Sequence, residues 1–135
     1  MPYCISSGVA VQPWSPLARG ILAGSYSGSF EGGNTARSQG QDRARTEGLY
    51  RGDMDFQIAD RVIEVAKKHD CKPAQAALAW LLQKPGVTSP VVGVSKIEQL
   101  DQLVEATTLS LTSEDLIYLE ELYQPLDNLL SLGFS

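Results

Sequence analysis

Apolar positions change their spacing along this chain, and each change marks an element. Residues 8–14 (GVAVQPW) form a short β-branched stretch bounded by Gly and Pro, which predicts a strand. Pro16 and Gly20 then break regular structure in SPLARG. Residues 24–55 are rich in Gly, Ser, Arg and Asp and carry no apolar period, so a long loop is expected there. A loop of that length inside a compact domain is either a lid or binding loop, or plain disorder. From 56 to 69 the spacing of Ile58, Val62, Ile63, Val65 and Ala66 marks one face of an amphipathic helix, with Asp53 or Asp55 near its start. Pro73 suits the first turn of a second helix, whose buried stripe is Ala76, Ala77, Trp80 and Leu81, and Pro85–Gly86 stop it.

Residues 87–94 (VTSPVVGV) predict a second strand, with Pro90 near its start because proline lacks the N–H a ladder needs. A third helix follows at once, with Ile97, Leu100, Leu103 and Val104 on one side. Its opening Ser95-Lys96-Ile97-Glu98 matches a capping box in which Ser95 serves the N3 amide and Glu98 reaches back. A last helix is expected from Thr112–Ser113 to about Tyr123, with Leu116, Leu119 and Leu122 inward. The tail PLDNLLSLGFS has apolar residues without a clear period and is expected to dock on the part of the fold missing from these residues.

Strand, long loop, two helices, strand, helix, helix is an α/β order and argues for a parallel sheet. Two parallel strands cannot stand alone, since both edges expose unpaired amides and carbonyls. More sheet is therefore expected, from another copy of the chain or from a longer chain.

Composition narrows the function classes. With 43% hydrophobic and 20% charged residues the chain reads as globular. A net charge of −5 argues against nonspecific binding to nucleic acid or to an acidic membrane, while leaving room for a local basic spot. Two cysteines, Cys4 and Cys71, are too few for a disulfide framework and fit a reducing compartment, the cytoplasm by default. His69 is the sole histidine and no cysteine pair has ligand spacing, so no metal site is expected. No apolar run spans a membrane, and the first residues lack the features of a secretory signal.

Three motifs in order carry a resemblance: PWSPLARGIL (13–22), AQAALAWLLQKPGVTSPVVGVSKIEQLDQLVEA (74–106) and LSLTSEDLIYLEELYQP (109–125). Together they resemble the C-terminal region of aldo-keto reductases, closest to the group of bacterial reductases and potassium channel β subunits. The likeness implies the C-terminal part of a TIM (β/α)8 barrel, incomplete here, with about two parallel strands and four helices, residues 1–135 being a partial domain. Residues 8–14 would be strand seven, 89–94 strand eight, and residues 24–55 a possible cofactor lid.

The resemblance also implies hydride transfer from NADPH to a small-molecule carbonyl. The family's proton-donating tyrosine and its lysine, aspartate and histidine partners come from earlier strands, and no residue here takes those roles. Tyr3, Tyr26, Tyr50, Tyr118 and Tyr123 fit no such motif, so no catalytic residue is assigned and the isolated chain is expected to lack activity. Cofactor contacts do carry over. Trp14 stands where the family has an aromatic ring under the nicotinamide, although alone it reads first as a strand-end core residue. Ser15, Leu17 and Arg19 resemble the residues that meet the pyrophosphate. Gly93, Ser95 and Lys96 sit where a strand ends and a helix begins, a junction that favours an anion. Ser95 and Lys96 match the grip on the adenosine 2′-phosphate, which favours NADP over NAD; as bare residues they read as an N-cap and a surface charge.

Gln99 falls one turn further, where the family often has Arg or Gln. Gln102-Leu103 replaces the usual Glu-Asn that recognises adenine, so Gln102 can offer an amide but Leu103 cannot hydrogen-bond. Arg37, Arg43 and Arg45 are candidates to close over the cofactor, or simply solvated loop residues. The alternative to a reductase portion is a non-catalytic nucleotide-binding or interaction module that assembles through exposed strand edges.

Overall fold

The computed structural model describes residues 1–26, 28–33, 35–50 and 52–125. The two expected strands lie side by side and parallel, but their pairing is confined to two isolated bridges, Val11 with Val87 and Trp14 with Val91. Thr88 N–H donates to the Val11 carbonyl at 2.9 Å, and Val91 N–H to the Pro13 carbonyl at 2.9 Å. The return bond to Val11 N–H is taken by the Thr88 hydroxyl at 3.1 Å instead of a carbonyl. Pro13 and Pro90 each remove a donor, so no continuous ladder forms among the described residues. This corrects the expectation of two full strands.

Helices make up most of the rest. Helix α1 spans Pro2–Ser6, and a 3₁₀ stretch covers Ala18–Ala23. Residues 24–55, expected to be irregular, hold a 3₁₀ turn at Phe30–Gly32 and the short helices α2 (Ala36–Gln39) and α3 (Asp42–Leu49). Their signal lies in local polar bonds: Ser38 N–H donates to Thr35 Oγ1 at 3.2 Å, and Arg43 pairs with Glu47 one turn on. An aromatic chain anchors the stretch, Tyr26 meeting Phe30 edge-on with centroids 5.4 Å apart and Phe30 meeting Phe56 at 5.0 Å.

Helix α4 (Asp53–Lys68) starts at Asp53, earlier than the apolar spacing indicated, because Asp55 accepts a bond from Gly52 N–H and acidic residues suit a first turn. It buries Ala59, Val62, Val65 and Ala66. Helix α5 (Pro73–Leu82) opens on Pro73, with Lys72 N–H bonded to Gln75 Oε1 at 2.8 Å. Five consecutive residues from Gln75 to Ala79 are buried, so this helix is enclosed all round, whereas the expected stripe members Trp80 and Leu81 are only half-buried. Helix α6 (Ile97–Glu105) buries only Leu103. Its expected partners Ile97 (66% exposed), Leu100 and Val104 (57%) face solvent, because nothing among the described residues packs on that side. Helix α7 (Ser113–Glu120) ends three residues short of Tyr123 and buries Leu119, with Leu116 and Leu122 half-buried. The main core lies between α4, α5 and α7, and a smaller one joins Leu78 to Leu103 and Ala106. The expected docking of the tail concerns residues 126–135, outside the described residues. Among the described residues no helix is long and apolar enough to cross a membrane.

One buried carboxylate ties the end of α4 to the start of α7. Asp115 accepts from Lys68 Nζ at 2.7 Å, contacts His69 Nε2 at 2.8 Å, and accepts from Thr112 N–H at 3.0 Å and its hydroxyl at 2.8 Å. Burial alone would push the Asp115 carboxyl up; the bonds from Lys68, His69 and Thr112 outweigh it and hold the group well below the usual carboxylate range. The Lys68 side chain is 54% exposed, so water screens its share and the buried bonds weigh more. A depressed native value means the stabilisation is complete above the unfolded value, about 3.9, and is lost as pH falls from there toward the native one. Asp115→Ala is expected to cost about 2–3 kcal/mol in urea unfolding at neutral pH. The gap from the parent chain should shrink below about pH 4, and a gap constant down to the acid limit would count against this role for the carboxylate.

Candidate functional site

The parallel bridges bring the two ends of the sequence together, and a groove opens beside them. Its volume is about 470 Å³ and its walls are Trp14, Ser15, Pro16, Leu17, Arg19 and Gly20 on one side and Val91, Val92 and Gly93 on the other. Trp14 sits on the bridge to Val91 with its side chain largely exposed (66%), so it is not the filled core position that the residue alone allowed.

The turn after Trp14 is under backbone strain. Ser15, Ala18 and Arg19 have φ of 56°, 48° and 56°, the left-handed region that side chains disfavour, and Gly20 follows at 102°. Each such non-glycine residue costs roughly 1–2 kcal/mol, and such strain concentrates at binding sites. It is held by Ala18 N–H to the Ser15 carbonyl at 3.0 Å, Gly20 N–H to the Leu17 carbonyl at 2.9 Å, and the burial of Ile21. Leu17 has φ of −99°, so φ changes sign between Leu17 and Ala18. A side chain at Gly20 would press on Ser25 at 3.0 Å, so that position is restricted twice over.

Arg19 lies near the end of the 24–55 stretch. Burial holds the Tyr50 hydroxyl above its ordinary value and Asp55 adds to this, while the Arg19 charge opposes both. Arg43 is engaged with Glu47 and Glu31 on its own segment, and Arg45 is exposed. Neither lines the groove among the described residues.

The second expected cluster forms next to the groove, just past Gly93. A side chain at Gly93 would meet nothing within 4 Å, so the groove is open toward the start of α6. The cap there differs from the expected Ser95–Glu98 box. Lys96 is the N-cap residue, and Gln99 reaches back: its Oε1 accepts from Ser95 N–H at 3.0 Å, the Ser95 hydroxyl at 3.2 Å and Lys96 N–H at 3.2 Å. The helix begins one residue later than the Ser-x-x-Glu spacing suggested because the neutral amide of Gln99 serves two backbone donors at once. Gln102 is half-buried on α6 and outside the groove's lining.

Of the residues singled out from sequence, Trp14, Ser15, Leu17, Arg19 and Gly93 share one groove. Ser95, Lys96 and Gln99 form the adjoining helix start, and Gln102 is apart. Pro16, Gly20, Val91 and Val92 also line the groove and were not singled out. The bridge of Trp14 to Val91 is what brings the valines in, and no local pattern announces a pairing between segments so distant in the chain.

An exposed indole and a strained turn thus stand beside a hydroxyl and an ammonium at the start of α6, where Gln99 Oε1 takes the Ser95 and Lys96 amides. The sequence profile of the aldo/keto reductase family matches residues 1–124. The chain is 42% identical over 130 residues to a Schizosaccharomyces pombe protein named for aryl-alcohol dehydrogenase, covering 93% of this chain and 36% of that protein. It is 38% identical over 127 residues to versiconal hemiacetal acetate reductase of Aspergillus parasiticus, covering 93% and 35%. A Glycine max protein named for aldo-keto reductase 1 is 38% identical over 117 residues, covering 86% and 32%. The chain thus spans about a third of the length of the curated relatives it matches.

Proposed function

Since the chain belongs to the aldo/keto reductase family, we propose that it forms part of the cofactor wall of an NADP-dependent carbonyl reductase built on a (β/α)8 barrel. The observation that carries this reading is the single groove in which Trp14, Ser15, Leu17, Arg19 and Gly93 meet from opposite ends of the sequence. Relatives named as reductases and dehydrogenases support the oxidoreductase class. When bound, the reduced dinucleotide supplies the hydride that converts an aldehyde or ketone to an alcohol.

Each residue then has a defined task. Trp14 offers its indole face as a floor for a flat ring, which restricts how the ring turns. Ser15, Leu17 and the Arg19 guanidinium meet the pyrophosphate. Ser95 and Lys96 hold the 2′-phosphate at the start of α6, and Gln102 offers an amide toward adenine. Gln99 must turn aside for this, because its carbonyl oxygen already takes the Ser95 and Lys96 amides that an anion would use. Residues 24–55 serve as a cover, a role supported by the closeness of Arg19 to Tyr50 at the far end of that stretch. The setting is a reducing cytoplasm, consistent with the free thiols of Cys4 and Cys71.

The proton for the alcohol oxygen comes, in this reading, from outside residues 1–135. A second reading, a binding module that associates through its own surface, is favoured by the exposed apolar side chains of Val9, Val91, Ile97 and Val104.

Titrating NADPH while following Trp14 emission tests the binding role. Lys96→Ala is expected to weaken NADPH about tenfold, the worth of one charge-assisted bond, with little change for NADH. An equal loss for both nucleotides, or none, would remove Lys96 from the 2′-phosphate. Purified chain mixed with NADPH and a panel of aldehydes is expected to stay at the background rate of NADPH oxidation; turnover would show that a proton donor lies within these residues. Light scattering behind size exclusion separates the second reading, which requires a mass above that of one chain.

A further inference from the structure

The buried side chains of α6 and its cap lie at the C-terminal end of the helix. Leu103 and Ala106 pack against Leu78, with Ala74 and Leu82 beside them. Ile97 and Leu100, nearer the start, are exposed. The start, which carries Ser95 and Lys96, is thus the far end of a lever about 13 Å long. A tilt of about 10° at the packed end moves the far end by roughly 2 Å, which is large against the tolerance of a hydrogen bond.

Apolar contact resists separation of two helices but is non-directional, so it sets their tilt poorly. A polar bond supplies the direction. Gln75 Nε2 on α5 donates to Glu105 Oε2, on the last residue of α6, at 2.7 Å. Gln75 is 7% exposed, and its Oε1 accepts from Lys72 N–H at 2.8 Å at the start of α5. That second bond fixes which way the amide points: a backbone donor holds the oxygen, so the nitrogen faces the carboxylate. Glu105 is meanwhile an acid at the end of α6 where the helix dipole disfavours negative charge. Helix stability gives no reason for an acid there, and the bond to Gln75 does.

We propose that Gln75 is a positioning residue: through Glu105 it sets the tilt of α6, and so the place of Ser95 and Lys96 beside the groove. The inference rests on the assignment of those two residues to the 2′-phosphate. Positioning and direct electrostatics have opposite signs here. Removing the Glu105 carboxylate takes a negative charge from the protein, which by Coulomb's law alone favours an anionic ligand. Losing the tilt disfavours it.

Glu105 is an exposed residue, so the test begins with Glu105→Ala. NADPH is expected to bind severalfold more weakly with little change for NADH, a smaller loss than the about tenfold expected for Lys96→Ala. Gln75→Glu sets two carboxylates against each other and is expected to do the same. Adding Glu105→Gln remakes the bond with donor and acceptor exchanged and should restore the affinity. Unchanged or tighter NADPH binding in Glu105→Ala would overturn the proposal, as would an equal loss for both nucleotides or a folded double variant that stays weak.

A second measurement needs no nucleotide. Nitroxide labels are placed at Glu98→Cys and Lys67→Cys, both exposed positions, with Cys4→Ala and Cys71→Ala. Glu105→Ala is expected to broaden the distance distribution between the labels, and the exchanged pair to narrow it again. An unchanged distribution sinks the role of Gln75 itself. A broadened one, with NADPH affinity altered by neither Glu105→Ala nor Lys96→Ala, sinks the 2′-phosphate assignment and with it the link from tilt to binding.

Discussion

Helix α5 can be enclosed on every side because most of its buried positions are alanine. Ala76, Ala77 and Ala79 bring little side-chain bulk, so α4, α7, the end of α6 and the 3₁₀ stretch after Trp14 can all approach the same short cylinder. Helix axes 8–10 Å apart need small residues at the contact, and a larger side chain at any of the three would push a neighbour away. Leu78 fills the one direction left open, toward Leu103 and Ala106. Polar groups are tied in as well: Gln75 donates to Glu105 at 2.7 Å, and Gln83 exchanges bonds with the Leu111 backbone at 2.9 and 3.1 Å. Everything that shapes the groove leans on this helix, directly or through one neighbour.

The groove itself shows strain supported by packing. A run of left-handed residues between Ser15 and Gly20 would not persist in an isolated peptide, because each one opposes the natural preference of its side chain. It persists here because Ile21 is driven into the cluster with Tyr26 and Ala59, which fixes the chain just past the turn. Packing energy is thereby stored in the backbone shape of the groove wall. The α6 start is held differently, by the side chain of Gln99 accepting from the Ser95 and Lys96 amides.

Much of the helical frame was legible in the sequence. Proline at position 73, the helix start at Thr112–Ser113 and the Pro85–Gly86 stop act over a few residues, so they read without knowledge of the fold. The short helices between Ala36 and Leu49 did not, because they cover few apolar residues and are held by side-chain bonds such as Thr35 with Ser38. The exposed face of α6 was misread for the opposite reason. Ile97, Leu100 and Val104 have the spacing of a buried stripe, but spacing states only that a face is apolar, not that something within the same chain covers it. At the site, Trp14, Ser15, Leu17, Arg19 and Gly93 were identified through a resemblance, whereas Val91 and Val92 had no local mark at all.

The sequence by itself determined which segments form the longer helices and that α5 opens on Pro73, since prolines and periodicity act through local energies. Only the tertiary structure decided that residues 14–20 and 91–93 form one groove, that Gln99 and not Glu98 closes the start of α6, and that Asp115 fastens α4 to α7. Those outcomes depend on which of several possible partners arrives first and fits best. Distance along the chain carries no information about that, because long-range contacts are selected by packing and burial of the whole assembly.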